Sequence, residues 1–401
     1  MALNRAERRR QEKLAKKQGK TISGSNGSSN AALDALMADA HAKYKDGKLP
    51  ETLKLLESVL EIDSNRQDVA GTAGMIALDL EDYEKAVQHY TTAVTLEPNN
   101  MKAQFGLGLA YKTLGQFDKA EDPLKKSVEL SDGALEPTRL LVDILWQLEK
   151  TIEIPIFAKQ LLKHEPHKTI HAMHEALSHY HRGTPEKARA LLGFNELVEI
   201  HDLEPPEGYD TMKAFNQALA DYVVDHPSMA VPDESDPKYH NEHLHITREL
   251  TGPQAEKVGE PMKTLEAMIA AKVEGYVTSR VGKLDHPFIN RWPKKSHLVS
   301  WGTLLKGQGN LVPHIHIDGY LGMVYYPELP ETMGADNDGS SGYLELGRPP
   351  EDFPVELETD VHLIEPKEGR LIIFPGYFFH NTVPFTAEGR RISIAFDVVA
   401  G

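Results

Sequence analysis

Three short segments carry side chains that could act together. In Pro313-His314-Ile315-His316-Ile317-Asp318, two imidazoles and a carboxylate occupy alternate positions. An extended strand turns alternate residues to one face, so these side chains could grip one metal ion from a single strand. Downstream, the apolar run Leu371–Phe374 leads through Pro375 to His380, 64 residues after His316. Arg391-Ile392-Ser393 begins 11 residues beyond that, with Arg and Ser two apart on a strand that is otherwise apolar. Taken singly, strand histidines serve packing and a strand arginine serves an ion pair. Taken in order, they describe a metal held by nitrogen and oxygen ligands with open positions, which suits non-haem Fe(II) binding a co-substrate and O2 together. An Arg with a neighbouring hydroxyl is the clamp for a remote carboxylate. A three-histidine zinc hydrolase would leave Arg391-x-Ser393 without a role.

Composition limits what can position these groups. The chain has 401 residues, more than one hydrophobic core supports, so two or three domains are expected. With no cysteine, disulfides, thiolate-bound metals and a catalytic thiol are excluded, and any metal falls to His, Asp or Glu, of which there are 19 histidines. The net charge of −16 argues against a general nucleic-acid binder. It is unevenly spread: residues 1–20 hold eight Lys/Arg against Glu7 and Glu12, which leaves −22 for the rest. Residues 1–31 read as a basic flexible tail on a Ser/Asn/Gly linker, able at most to touch nucleic acid weakly. No apolar run approaches a membrane span, and the tail lacks the apolar core of a secretory signal, so a cytoplasmic protein is expected.

From residue 32 to 195 the pattern is helical with a period of 34. Tyr83 and Phe117, Ala86 and Ala120, Tyr90 and Leu124, and Gly74 and Gly108 each lie one period apart. Small residues at helix crossings and bulky ones between repeats fit stacked antiparallel helix pairs. The segments GMIALDLEDYEKAVQHYTTAVTLEPNN and GLAYKTLGQFDKAEDPLKKSVEL resemble tetratricopeptide repeats, two good ones flanked by degenerate ones. That resemblance implies a binding arm for a protein or peptide. After residue 196 the repeat stops. A helix is expected through Met262–Gly282, then strands at Ser296–Lys306, Tyr320–Tyr326, Gly342–Leu346, Val361–Glu365, Arg370–Phe374, Phe378–Val383 and Arg391–Val399. Their spacing predicts an antiparallel barrel or jelly roll. The fold class is thus multidomain α + β: an N-terminal α-solenoid and a C-terminal double-stranded β-helix domain over 196–401, its core at about 296–400.

Residues 205–400 resemble a 2-oxoglutarate–Fe(II) oxygenase family with a double-stranded β-helix. The resemblance rests on SWGTLL (300–305), PHIHIDGYLGMVYYPELP (313–330), GYLELGRPP (342–350), EGRLIIFPGYFFHNTVP (368–384) and RRISIAF (390–396). It implies that His314, His316 and His380 bind Fe(II), that Arg391 and Ser393 hold the C5 carboxylate of 2-oxoglutarate, and that Tyr326 reaches the same co-substrate. It also implies that O2 and 2-oxoglutarate are consumed, giving succinate and CO2, while a protein or peptide side chain recruited by the repeats is hydroxylated. His316-Ile317-Asp318 also spells the commoner His-x-Asp, so Asp318 stands as the alternative ligand to His314; otherwise it orients a ligand or meets substrate. Gly322-Met323 departs from the Ser-Gly that the family pattern leads one to expect, which touches the substrate side of the pocket.

Other histidines compete for attention. His164, His167, His171, His174, His179 and His181 cluster in the helical part, but His174-Glu175 and His179 miss the HExxH spacing by one residue and read as a solenoid edge. A second pair, His243-Leu244-His245, has no His and Arg following it at suitable spacing, although the stretch 246–254 faintly resembles a loop near the family's pocket. Trp301 reads as barrel core. The competing function is a non-catalytic scaffold whose barrel retains metal ligands.

Overall fold

A computed structural model describes residues 30–232, 243–255, 258–331 and 339–401; the side chains of residues 307–309 are not described. The basic tail therefore lies, up to residue 29, outside the described residues. The chain divides into two compact units, one ending at Leu148 and one running from Glu149 to Gly401.

In the first unit the 34-residue period becomes helix pairs. A helix over 30–45 pairs with Leu49–Ile62, Gln67–Asp79 with Tyr83–Leu96, and Met101–Thr113 with Phe117–Leu130, and Leu135–Gln147 packs on the last pair. The period is physical because the same contact recurs. A Cβ on Gly74 would lie 2.9 Å from the Tyr90 ring, and one on Gly108 would lie 2.5 Å from Leu124. Each glycine lets a bulky side chain of the next helix approach the backbone. Gly106 does the same for the far edge of Tyr90, at 2.3 Å. Asp82 and Asn100 cap two of the helices by accepting hydrogen bonds from Lys85 N and Ala103 N.

The second unit begins with three more helices, Ile154–His164, Ile170–His181 and Pro185–Leu192. Nine strands follow among the described residues: β1 Glu199–Asp202, β2 Leu244–Ile246, β3 Ser296–Gly309, β4 Gly319–Glu328, β5 Leu344–Leu346, β6 His362–Ile364, β7 Arg370–Pro375, β8 His380–Thr382 and β9 Phe385–Ala400. One antiparallel sheet has the order β1-β7-β4-β9-β3-β2 and a second the order β6-β5-β8. All seven expected strands are present, and the expected helix spans Glu260–Arg280. The strands β1 and β2 and the helix Met212–Val224 were not anticipated.

The larger sheet has two distinct faces. Along β9, Ile392, Ile394, Phe396 and Val398 are buried on one side. On that side of neighbouring strands, Tyr325 donates to Asn216 Oδ1 at 2.5 Å, and a Cβ on Gly302 would meet Val223 at 2.6 Å. The helix Met212–Val224 therefore covers this face. Arg391, Ser393, Ala395 and Asp397 point the other way, opposite Leu305, Thr303, Trp301 and Val299 of β3. That inner face carries every candidate site residue of β9.

Candidate metal centre

The first two histidines arrive on a segment that pairs with β8. His314 and His380 form an antiparallel bridge, with His314 N donating to His380 O at 3.1 Å and His380 N donating to His314 O at 2.9 Å. Opposed residues of such a pair put their side chains on the same face. His316 lies two residues on, and one potential ligand atom from each of His314, His316 and His380 falls within 4.8 Å of the others. Among the described residues no other group of His, Asp and Glu meets that test.

Hydrogen bonds determine what these imidazoles present. Nδ1 of His314 bonds to Val312 O at 2.8 Å, Nδ1 of His380 to Phe378 O at 3.1 Å, and Nδ1 of His316 to Asp397 Oδ1 at 2.8 Å. Carbonyl and carboxylate oxygens only accept, so each Nδ1 carries a hydrogen and Nε2 is the nitrogen left to meet a metal. Histidines that bind metals are oriented by this kind of bond through the other ring nitrogen. Asp397 is 4% exposed, and Gly319 makes room for it: a Cβ there would come within 2.7 Å of the carboxylate. Sequence reasoning missed Asp397, although its signal was available as an acid inside an apolar strand, four residues beyond Ser393 and on the same face. Replacing Asp397 with Asn keeps the size but loses the charge, and metal affinity is expected to fall by about 10–100-fold in a metal titration.

Asp318 does not join the triad. The chain turns after His316, with Gly319 N donating to His316 O at 3.1 Å, so the alternation that would align Asp318 with the histidines ends there. Its side chain is 74% exposed and forms an ion pair with Lys168. His243 and His245 lie at β2 and its approach, away from the triad, and the helix histidines have local uses. His171 bonds to Glu165 Oε2 at 2.8 Å, His181 to Thr151 Oγ1 at 2.9 Å and His179 to Thr184 Oγ1 at 3.1 Å. Burial, aided by His171, lowers the pKa of His174 to about 4, so it is neutral at pH 7.

A cavity of about 600 Å³ lies against the triad, lined among others by Trp301, His297, Glu249 and Gln254. Trp301 is half-buried and packs edge-on to His316, ring centroids 4.9 Å apart, so the expectation of a simple core residue is corrected. Farther along the inner face, six residues before Asp397 on β9, Arg391 is 2% exposed and its Nε has no hydrogen-bond partner. Its guanidinium carbon lies 5.1 Å from the centre of the Tyr326 ring. The Tyr326 hydroxyl is also buried, beside the Arg391 guanidinium. Burial pulls the Arg391 pKa down and pushes that of Tyr326 up, with the mutual attraction of the pair opposing both shifts. Ser393 Oγ shares a 2.5 Å hydrogen bond with Thr303 Oγ1.

The residues fit the groups that the sequence implied. Three imidazoles suit iron, zinc, copper or nickel alike. A buried cation with an unsatisfied donor and, among the described residues, no acid beside it calls for an anion.

Comparison with known proteins agrees. A family model described as "Putative 2OG-Fe(II) oxygenase" matches residues 299–397. Residues 74–115 match a TPR repeat model and residues 102–132 a tetratricopeptide repeat model. The chain joins tetratricopeptide repeats to a domain of that oxygenase family. Tetratricopeptide repeat protein 37 of Xenopus laevis is 31% identical over 94 residues, 23% of this chain and 6% of that protein. BBSome complex member BBS4 of Bos taurus is 30% identical over 74 residues, 18% of this chain and 14% of that protein. The chain thus matches only a small part of either relative. Among solved structures, YrrB, titled a TPR protein with an unusual peptide-binding site, aligns at 20% identity and a TM-score of 0.35, covering 38% of this chain and 79% of that one. Among the described residues, no helix is long and apolar enough to cross a membrane.

Proposed function

We propose that this protein is an Fe(II)- and 2-oxoglutarate-dependent dioxygenase that hydroxylates a side chain of a protein or peptide recruited by its repeat unit. The observation that carries the reading is a three-imidazole cluster and a buried Arg391 with an unsatisfied donor on one inner sheet face. A scaffold that had lost its chemistry would have no use for an uncompensated buried cation, whose retention costs several kcal/mol. When bound, iron and 2-oxoglutarate supply the activation of O2 and the electrons that reduce it.

The chain's own work is binding, orientation and exclusion of water. His314, His316 and His380 would hold the metal through Nε2, their rings fixed by Val312 O, Asp397 and Phe378 O. Arg391 would take the C5 carboxylate of 2-oxoglutarate, aided by Ser393, while the neutral Tyr326 hydroxyl would donate to the same molecule. Phe374, with its ring 5.0 Å from that of His380, keeps one side of the triad apolar. The repeat unit would deliver the polypeptide substrate.

Anaerobic protein loaded with Fe(II) and 2-oxoglutarate is expected to release succinate on admission of O2, slowly even without substrate. Absence of succinate, together with absence of the visible absorption band of an Fe(II)–2-oxoglutarate complex, would leave the scaffold reading in place.

A further inference from the structure

The described residues lining the cavity beside the triad include three acids and no Lys or Arg. Two of the acids are already engaged: Asp397 holds His316, and Asp318 pairs with Lys168. Glu249 has no cationic partner among the described residues, yet it is held in place. Gln254 N donates to its Oε2 at 2.9 Å, and the turn between them passes through Gly252 at φ +123°, where a Cβ would lie 2.8 Å from the same oxygen. The segment is also fastened to β3. Thr247 N donates to Gly302 O at 3.0 Å, Leu250 N to Ser300 O at 2.7 Å, and Thr251 and Ser300 share a hydroxyl bond of 2.8 Å. A half-buried carboxylate is thus positioned in advance on one cavity wall, with the indole of Trp301 lining the same space.

Resting on the oxygenase reading, we propose that the substrate presents a cationic side chain, an ammonium or guanidinium, to this cavity. Glu249 accepts its hydrogen bonds and the Trp301 ring faces its charge. A fixed acceptor costs little reorganisation on binding, and an aromatic face attracts a cation most strongly where water is excluded. An anionic side chain would face Glu249 without compensation, so the same wall discriminates against acidic substrates.

The test is calorimetric binding to the full-length protein, held anaerobic with Fe(II) and 2-oxoglutarate. The probes are heptapeptides differing only in a central Lys, Arg, Gln, Leu or Glu, alongside a lysine blocked at both ends. The Lys or Arg peptide is expected to bind at least about tenfold tighter than the Gln peptide, and Glu249→Gln to remove that preference. Glu249→Lys is expected to favour the Glu peptide. Equal binding of the blocked lysine supports the same chemistry with a small-molecule source. No binding by any probe, or a Lys preference that survives Glu249→Gln with the variant's melting temperature unchanged, overturns the inference. Succinate release in the same samples separates the two claims. If it occurs without a cationic preference, the substrate class fails alone; if it is absent while Lys peptides bind, the oxygenase reading fails alone.

Discussion

Arg391→Met is expected to weaken 2-oxoglutarate binding by orders of magnitude while raising the melting temperature of the protein without co-substrate. Few substitutions should move function and stability in opposite directions so strongly, and the reason lies in how the guanidinium is housed. Arg391 is fully buried on β9 opposite Leu305, with an unsatisfied Nε and the Tyr326 side chain, not an acid, beside it among the described residues. Burying an ionised group costs several kcal/mol unless a counter-charge repays it, and here the counter-charge would be the ligand. Methionine has a comparable reach and needs no partner. The variant should gain about 1–4 kcal/mol in the absence of 2-oxoglutarate, read by thermal denaturation. Its affinity for 2-oxoglutarate should fall by about 3–5 kcal/mol, or roughly 10²–10⁴-fold, because a buried carboxylate left without its cation bears the full desolvation penalty. Arg391→Lys should recover part of the affinity, since a point charge remains but the planar fork does not. If Arg391→Met melts lower and binds 2-oxoglutarate normally, the arginine is structural and the co-substrate site lies elsewhere.

The order of elements was legible in the sequence because it rests on local periodicity. The 34-residue repeat is written in pairs such as Gly74 and Gly108, and the space each glycine frees is filled by Tyr90 and Leu124. The seven strands followed from apolar alternation broken by Gly and Pro. What escaped were elements whose identity depends on distant partners. The four residues of β1 become a strand by pairing with β7, Glu199 opposite Ile373, and the three of β2 by pairing with β3, Leu244 opposite Leu305. The helix Met212–Val224 lay between two proline-rich stretches that read as interruptions. In the site, the triad was legible because two of its members are two residues apart. The partner of His316 was not, since Asp397 lies 81 residues away and reaches it only across the sheet. Trp301 was misjudged for a related reason: alternation assigns a residue to a face but cannot say which part of that face a cavity opens.

His314→Ala and Asp318→Ala form the second decisive pair, and their effects are expected to differ by about two orders of magnitude. Both residues spell a plausible ligand beside His316, so the sequence alone left them as alternatives. The backbone separates them. His314 exchanges both main-chain hydrogen bonds with His380, which fixes its side chain on the face of the other two imidazoles, and its Nδ1 bond to Val312 O leaves Nε2 as the donor atom. Asp318 follows a turn closed by the Gly319 N–His316 O bond and points to solvent, where Lys168 engages it. To reach the metal it would have to break that ion pair and reverse the turn that sets Gly319 beside Asp397. His314→Ala is therefore expected to weaken Fe(II) binding by at least about 100-fold, since losing a group that merely orients a ligand already costs 10–100-fold. Asp318→Ala should alter it by less than about threefold and change stability by at most about 1 kcal/mol, the scale of an exposed ion pair. Metal titration of both variants, read against the unaltered protein, checks the assignment. A large loss for Asp318→Ala with little for His314→Ala would mean that the segment after His316 refolds around the ion and that the ligand set is His316, Asp318 and His380.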